Sequence, residues 1–277
     1  MSAKLLLGKP CADSICESVR SKLGERSGKL YAVGFDTDTW KQYSSSLAKS
    51  AVRFGFSCEE VTVSEQSSPD EFCKAVESVS RREDACGVIV QQPLPKQYAH
   101  AVNFVDVDKD VDCLNPLSVA KLYKGEQGLY PATPLAVLRL LDYYGIDLQG
   151  KRVVIVGRGN AVGKPLALMA LQRNATVTVC HTKTVDLASI CRSADVLISA
   201  CGVAGLITKE FVNPNSIVID VGLSFVDGKT CGDVEQAVYE VVAAVSPVPS
   251  GVGPVTRATL YENLCTALCA QKDVDVK

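Results

Sequence analysis

The chain has 277 residues, 47% of them hydrophobic and 22% charged, with a formal net charge of -2. That length accommodates one large core or two modest ones, and the charge balance is that of an ordinary globular protein, which argues against a disordered chain or a nucleic-acid binder. No apolar run approaches the ~20 residues that cross a bilayer, and the N-terminal MSAKLLLGKPCADSICESV has too short an apolar stretch for a signal peptide, so no membrane association and a cytoplasmic location are expected.

Short β-rich runs alternate with longer amphipathic stretches: LYAVGF at 30–35, EEVTV at 59–63, CGVIVQ at 86–91, RVVIVG at 152–157, ATVTVC at 175–180, DVLISAC at 195–201 and SIVIDVG at 216–222. This alternation predicts βαβ units with parallel sheets, an α/β protein. Residues 121–151 are expected to form a loop and then a helix from Thr133 or Pro134 to Gly145, connecting two α/β lobes. The last segment carries a helical apolar stripe, Leu260, Leu264, Ala267 and Leu268, and is expected to close the fold as a helix. The twelve cysteines include no C-x-x-C pair, and Cys265 and Cys269 have no histidine nearby, so free thiols and no metal site are expected.

After RVVIVG, Gly157-Arg158-Gly159-Asn160-Ala161-Val162-Gly163-Lys164-Pro165 leads into an apolar helical stretch. Glycines at that point permit a tight turn and close approach of backbone to a pyrophosphate facing a helix N-terminus. The next strand ends at Cys180-His181-Thr182-Lys183-Thr184, where an NAD enzyme would place an acid on the ribose. No acid stands there, and with Arg158 in the glycine loop and Lys183 at the strand end the pocket is expected to favour the 2′-phosphate of NADP.

Six segments together resemble the methylenetetrahydrofolate dehydrogenase/cyclohydrolase family. Gln91-Gln92-Pro93-Leu94-Pro95 resembles its Q-L-P-L-P, Asp110-Val111-Asp112-Cys113 its D-V-D-G, and Pro131-Ala132-Thr133-Pro134 its P-C-T-P. Gly157 through Pro165 resembles G-R-S-x-x-V-G-x-P, Cys180 through Thr184 resembles C-H-S-x-T, and Pro247 through Thr256 resembles P-V-P-G-G-V-G-P-M-T, with Ser250 at a glycine position. The resemblance implies a homodimer of two-lobed subunits with folate between the lobes. Residues 1–116 plus about 254–277 would form the folate lobe, and 117–253 a Rossmann-like NADP lobe. Substrate would meet Tyr43, Gln91, Asp112, Pro249, Gly251 and Gly253, of which Tyr43, Gln91 and Asp112 would be catalytic. The cofactor would meet Gly157, Arg158, Gly159, Val162, Gly163, Pro165, His181, Thr182, Lys183, Cys201 and Gly202.

The implied activity is oxidation of 5,10-methylenetetrahydrofolate with NADP, a hydride transfer that asks the protein mainly for alignment. The family's second activity, hydrolysis of the methenyl bridge, needs proton movement and uses a lysine four residues after a tyrosine on one helix. Between Gly34 and Gly55 this chain has Tyr43 followed by Leu47, and Trp40 where a serine is usual. Lys49 lies six residues on, about 600° of rotation, and points away. Hydrolysis is therefore expected to be lost or impaired, and restored by Leu47→Lys. A bifunctional enzyme retaining both activities, and a degenerate folate-binding member, are the alternatives.

Overall fold

The structure, a computed structural model, describes residues 2–226 and 228–274. In chain order the elements are β1 (Lys4–Leu5), α1 (Gly8–Leu23), β2 (Lys29–Phe35), α2 (Asp38–Phe54), β3 (Ser57–Val63), α3 (Pro69–Ser80), β4 (Ala85–Val90), α4 (Pro116–Lys124), α5 (Ala132–Tyr143), β5 (Arg152–Val156) and α6 (Gly163–Gln172). There follow β6 (Thr176–Cys180), α7 (Leu187–Arg192), β7 (Val196–Ser199), β8 (Ile217–Asp220), the hairpin β9 (Ser224–Val226) and β10 (Lys229–Cys231), β11 (Ala244–Ser246) and α8 (Val252–Val274). The chain divides into a first unit, Ser14–Ala132 with the segment from Arg257 onward, and a second unit, the segment up to Asp13 with Thr133–Thr256. The borders drawn from the sequence differ: residues 117–132 group with the first unit, and the segment up to Asp13 joins the second because β1 pairs with β11.

The first unit is built on a parallel sheet in the order β3-β2-β4. All six residues of β4 are buried, as expected for a parallel strand covered on both faces. One face packs Val33, Phe35, Phe72, Val76, Val88, Val90 and Tyr98 into a core, with the Phe35 and Phe72 rings 4.6 Å apart. Helix α3 starts where Ser68 and Glu71 cap each other reciprocally. Helix α4 corrects the expected loop from 121: Asn115 accepts from the Leu117 N–H, Pro116 opens the helix and Gly125 closes it at φ 71°. Those cap signals lay in the sequence, but the helix is one short amphipathic stretch without a clear stripe.

The second unit carries a six-stranded parallel sheet in the order β1-β11-β8-β7-β5-β6. Helix α5 spans the expected segment, and Gly145 follows it at φ 70°. The chain runs outward from β5 to β6 on one side and back to β7 on the other, so the strand order reverses at β5 and opens a crevice at the strand carboxyl ends. From Arg257 on, α8 packs in the first unit, as the closing helix was expected to: Tyr261 stacks on Phe54 at 4.7 Å, and Asn263 donates to the carbonyls of Val111 and Tyr130 at 2.8 and 2.6 Å. Among the described residues no helix is long and apolar enough to cross a membrane.

Candidate active site

In the first unit, α2 is capped by Thr37, whose hydroxyl accepts from the Trp40 N–H at 3.2 Å. Its buried stripe is Trp40, Ser44, Leu47, Ala51 and Phe54. Gly34 lets the Trp40 indole lie against β2, since a Cβ there would sit 2.4 Å from the ring. Tyr43 remains 45% exposed, beside Trp40 at 5.5 Å between centroids. Leu47 is only 2% exposed, and its carbonyl accepts from the Tyr261 hydroxyl at 2.6 Å. The residue four after Tyr43 is therefore enclosed, so the Leu47→Lys change expected to restore hydrolysis would place an ammonium at a buried position. The groups beside Tyr43 on its solvent side are Ser46 and Ser50, both bonded by the Arg257 guanidinium.

Strand β4 ends at Gln91, whose side-chain oxygen accepts from the Phe35 N–H at 2.7 Å, tying the ends of β2 and β4 together. The loop beyond pairs beside β4 through Val88 and Asp110. Asp110 is buried and accepts from the Ser118 hydroxyl at 2.6 Å and the N–H groups of Asn115 and Leu114 at 2.8 and 3.1 Å. Asp112, two residues on, accepts no hydrogen bond from the described residues. Desolvation, reinforced by the Asp110 charge, pushes its carboxyl up to about 7. Burial first, and then the Asp112 charge, push the Tyr43 phenol up to about 12, with Arg257 opposing. The Asp112 charge is thus felt at the Tyr43 phenol.

In the second unit, Gly157 sits at φ 123°, and a Cβ there would lie 2.4 Å from the Ala200 carbonyl oxygen. A Cβ on Gly163 would lie 2.1 Å from the Gly157 oxygen. Only glycine fits either position, and the loop folds tightly over the end of β5 into α6. Val162 caps that helix without a side-chain hydrogen bond, and Pro165 is buried in its first turn. Arg158 is exposed and makes no hydrogen bond or ion pair with the described residues. The Gly157 N–H donates to the Cys180 carbonyl at 2.9 Å, which sets the loop beside the turn after β6. In that turn His181 Nδ1 accepts from the Lys183 N–H at 3.1 Å and Thr184 accepts from the His181 N–H at 2.9 Å. No acid stands at the strand end, and Thr182 and Lys183 are exposed.

Sequence reasoning missed the pair Asp220 and Asp233. Asp233 is fully buried and accepts from the Ser199 hydroxyl, the N–H groups of Cys201, Gly202 and Val203, and the Cys201 thiol, at 2.8 to 3.3 Å. The amides of Cys201 and Gly202, expected at the cofactor, are therefore committed to Asp233. Asp220 accepts from the N–H groups of Gly222, Asp233 and Val234 at 3.0 Å, and burial pushes its carboxyl up to about 6. Gly222 and Gly232 leave room for these carboxylates: a Cβ on either would lie within 2.1 Å of one. A legible signal existed in two aspartates near glycines: Asp220 at the end of buried β8, two residues before Gly222, and Asp233 directly after Gly232. The Pro249, Gly251 and Gly253 turn lines a cavity of about 520 Å³ together with Asp220, Gly222 and Thr133. Ser250, at the glycine position of the motif, takes φ 89°, and Cys113, the other replaced glycine, takes φ 55°. Both keep the left-handed backbone their motifs require.

One unit with a parallel sheet and a glycine loop and helix N-terminus at its order reversal, and another α/β unit with an unpaired half-buried carboxylate, define a nucleotide-binding α/β enzyme. Two family models match the chain: the tetrahydrofolate dehydrogenase/cyclohydrolase catalytic domain over residues 6–112 and the NAD(P)-binding domain of the same family over 131–272. The chain belongs to the tetrahydrofolate dehydrogenase/cyclohydrolase family. It is similar to the bifunctional protein FolD of Clostridium perfringens, 39% identical over 96% of this chain and 99% of that protein. Among solved structures, it matches the bifunctional FolD of Campylobacter jejuni with a TM-score of 0.92 and 34% identity, over 98% of this chain and all of that one. It also matches the Trypanosoma brucei enzyme complexed with NADP and an inhibitor, with a TM-score of 0.89 and 30% identity, over 98% and 99% of the two chains.

Proposed function

We propose that the protein oxidises 5,10-methylenetetrahydrofolate to the methenyl form with NADP, the first unit holding folate and the second the cofactor. The observation that carries this reading is the Gly157–Gly163 loop with its unpaired Arg158 and no acid at the end of β6. The residues present fit the cofactor: glycines where only glycine fits, an uncapped helix start for the pyrophosphate, and a free guanidinium for the 2′-phosphate. When bound, NADP supplies the nicotinamide carbon that accepts the hydride.

The chain's own residues then have limited work. Asp112, ionised above its raised pKa, accepts hydrogen bonds from the pterin. Gln91, whose oxygen is held by Phe35, keeps its amide N–H groups for the substrate. Tyr43 flanks the ring system, and the Pro249, Gly251 and Gly253 turn contributes rigid backbone. None of these groups must move a proton during hydride transfer. Subunits pair through the second unit, where edge strand β6 and the exposed Val185 offer apolar surface.

Hydrolysis of the methenyl bridge is proposed to be weak, because the position four residues after Tyr43 holds the buried Leu47 in place of a lysine. A bifunctional enzyme is the second reading, favoured by the names of the relatives, which are bifunctional proteins. NADPH absorbance on mixing protein, methylenetetrahydrofolate and NADP tests the oxidation. A rise is expected, and no rise above a protein-free control overturns the proposal.

A further inference from the structure

Among the described residues, the indole Nε1–H of Trp40 is the one buried side-chain donor without a hydrogen-bond partner. Trp40 is 3% exposed, and an unmet donor at that depth costs free energy that a phenylalanine at the same position would not incur. Other buried polar groups of the first unit are met: the Ser118 hydroxyl reaches Asp110 at 2.6 Å, and the Ser44 hydroxyl reaches Glu60 at 2.7 Å. Trp40 stands where the family usually has a serine, so this donor is a feature of the chain itself and lacks an acceptor within the protein.

The missing acceptor belongs beside Gly34. In β2, Tyr31, Val33 and Phe35 enter the core shared with α3, so Gly34 faces the other way, and Nε1 lies 2.6 Å from the point where a Cβ on Gly34 would stand. In β4, Val88 and Val90 enter the same core, which puts Gln91 on the face of Gly34. Gln91 also straddles that glycine: its N–H donates to the Val33 carbonyl at 2.8 Å, and its side-chain oxygen accepts from the Phe35 N–H at 2.7 Å. The side-chain N–H groups of Gln91 have no partner among the described residues, so two sets of unmet donors meet at one glycine. Tyr43 lies against the indole with ring centroids 5.5 Å apart, half-exposed and held by no hydrogen bond among the described residues.

We propose that Trp40 is a further substrate-binding residue: its indole N–H, beside the Gln91 amide, donates to the ring oxo group of the pterin once the Tyr43 ring has swung aside. This rests on the folate reading above. The pterin carries that acceptor next to the N–H and amino donors assigned to Asp112, so one edge of the ring needs both a carboxylate and N–H groups. Forming the bond removes the cost that the unmet indole imposes on the empty protein.

Trp40 is the single tryptophan of the chain, so 15N-labelled protein gives one indole N–H signal. Calorimetry establishes that tetrahydrofolate binds, and at saturation the indole signal is expected to move downfield, the mark of a new hydrogen bond. Trp40→Phe, which keeps a ring and loses the donor, is expected to raise KM for methylenetetrahydrofolate roughly fivefold at saturating NADP, with kcat held and the melting temperature no lower than in the wild type. A packing role alone would lower the melting temperature and leave KM unchanged. An indole signal that stays in place while tetrahydrofolate binds overturns the proposal, as does a folded Trp40→Phe enzyme with the wild-type KM. Should Trp40→Phe fail to fold, the wild-type signal decides alone. No binding of tetrahydrofolate overturns the folate reading, and this proposal with it.

Discussion

Asp110 and Asp112 stand two residues apart on one loop, and only the first is tied down. Asp110 accepts from Ser118, Asn115 and Leu114, whereas Asp112 meets desolvation and the charge of its neighbour, which push it up to about 7. The protonated form is favoured in the folded state, so this stability contribution is fully present below the unfolded value near 4 and is lost as pH rises through about 7. Asp112→Asn is therefore expected to raise stability at pH 8 by about 1–2 kcal/mol, discounted for partial exposure, with the gain vanishing near pH 4. The same variant is expected to weaken folate binding, and in the wild type KM for folate should fall as pH rises from 6 to 8. Thermal melts across this range, paired with KM, check both; an Asp112→Asn protein less stable than wild type at pH 8 refutes the assignment.

Arg158 is exposed and unpaired among the described residues, so its removal disturbs no packing. Arg158→Ala is expected to raise KM for NADP at least tenfold, about 1.4 kcal/mol, and to leave KM for NAD near its original value. Equal rises for both cofactors would show that the side chain serves the pyrophosphate or the fold.

Two glycines of the same loop should behave oppositely. A methyl on Gly163 meets the Gly157 carbonyl at 2.1 Å, whereas nothing lies within 4 Å of a methyl on Gly159. Gly163→Ala is expected to cost about 1–3 kcal/mol and most of the NADP affinity; Gly159→Ala should stay within about 0.5 kcal/mol. Cofactor titration of the two proteins gives the comparison, and similar affinities would contradict the cradle.

Much of this was legible in the sequence. Strands β5 to β8 fell where the β-rich runs at 152–157, 175–180, 195–201 and 216–222 put them, and the glycine loop carried its own reason in Gly157 and Gly163, whereas the two or three residues each of β1, β9, β10 and β11 were too short to read. Less legible was anything set by tertiary packing. The sequence orders Tyr43, Ser46 and Leu47 on a helix but cannot say which way that helix is rolled; the Trp40 indole against Gly34 and the buried stripe from Trp40 to Phe54 decide it. Arg257 and Asp233 escaped for the same reason, since their partners lie 211 and up to 34 residues away.

The roll of α2 reverses one expectation. With the Leu47 side chain buried, Leu47→Lys should destabilise the first unit by about 3 kcal/mol or more rather than restore hydrolysis, because an ammonium would enter a buried position. A Leu47→Lys protein that melts like wild type and hydrolyses methenyltetrahydrofolate faster would mean the side chain reaches the site after all.

One spectroscopic time course tests the proposed dehydrogenase, in which hydride transfer proceeds while hydrolysis is weak. Methylenetetrahydrofolate and NADP are mixed with the enzyme, and NADPH and the methenyl chromophore are followed together. The methenyl product is expected to accumulate in step with NADPH and then decay at the buffer rate. NADPH rising while the methenyl product never accumulates would contradict it.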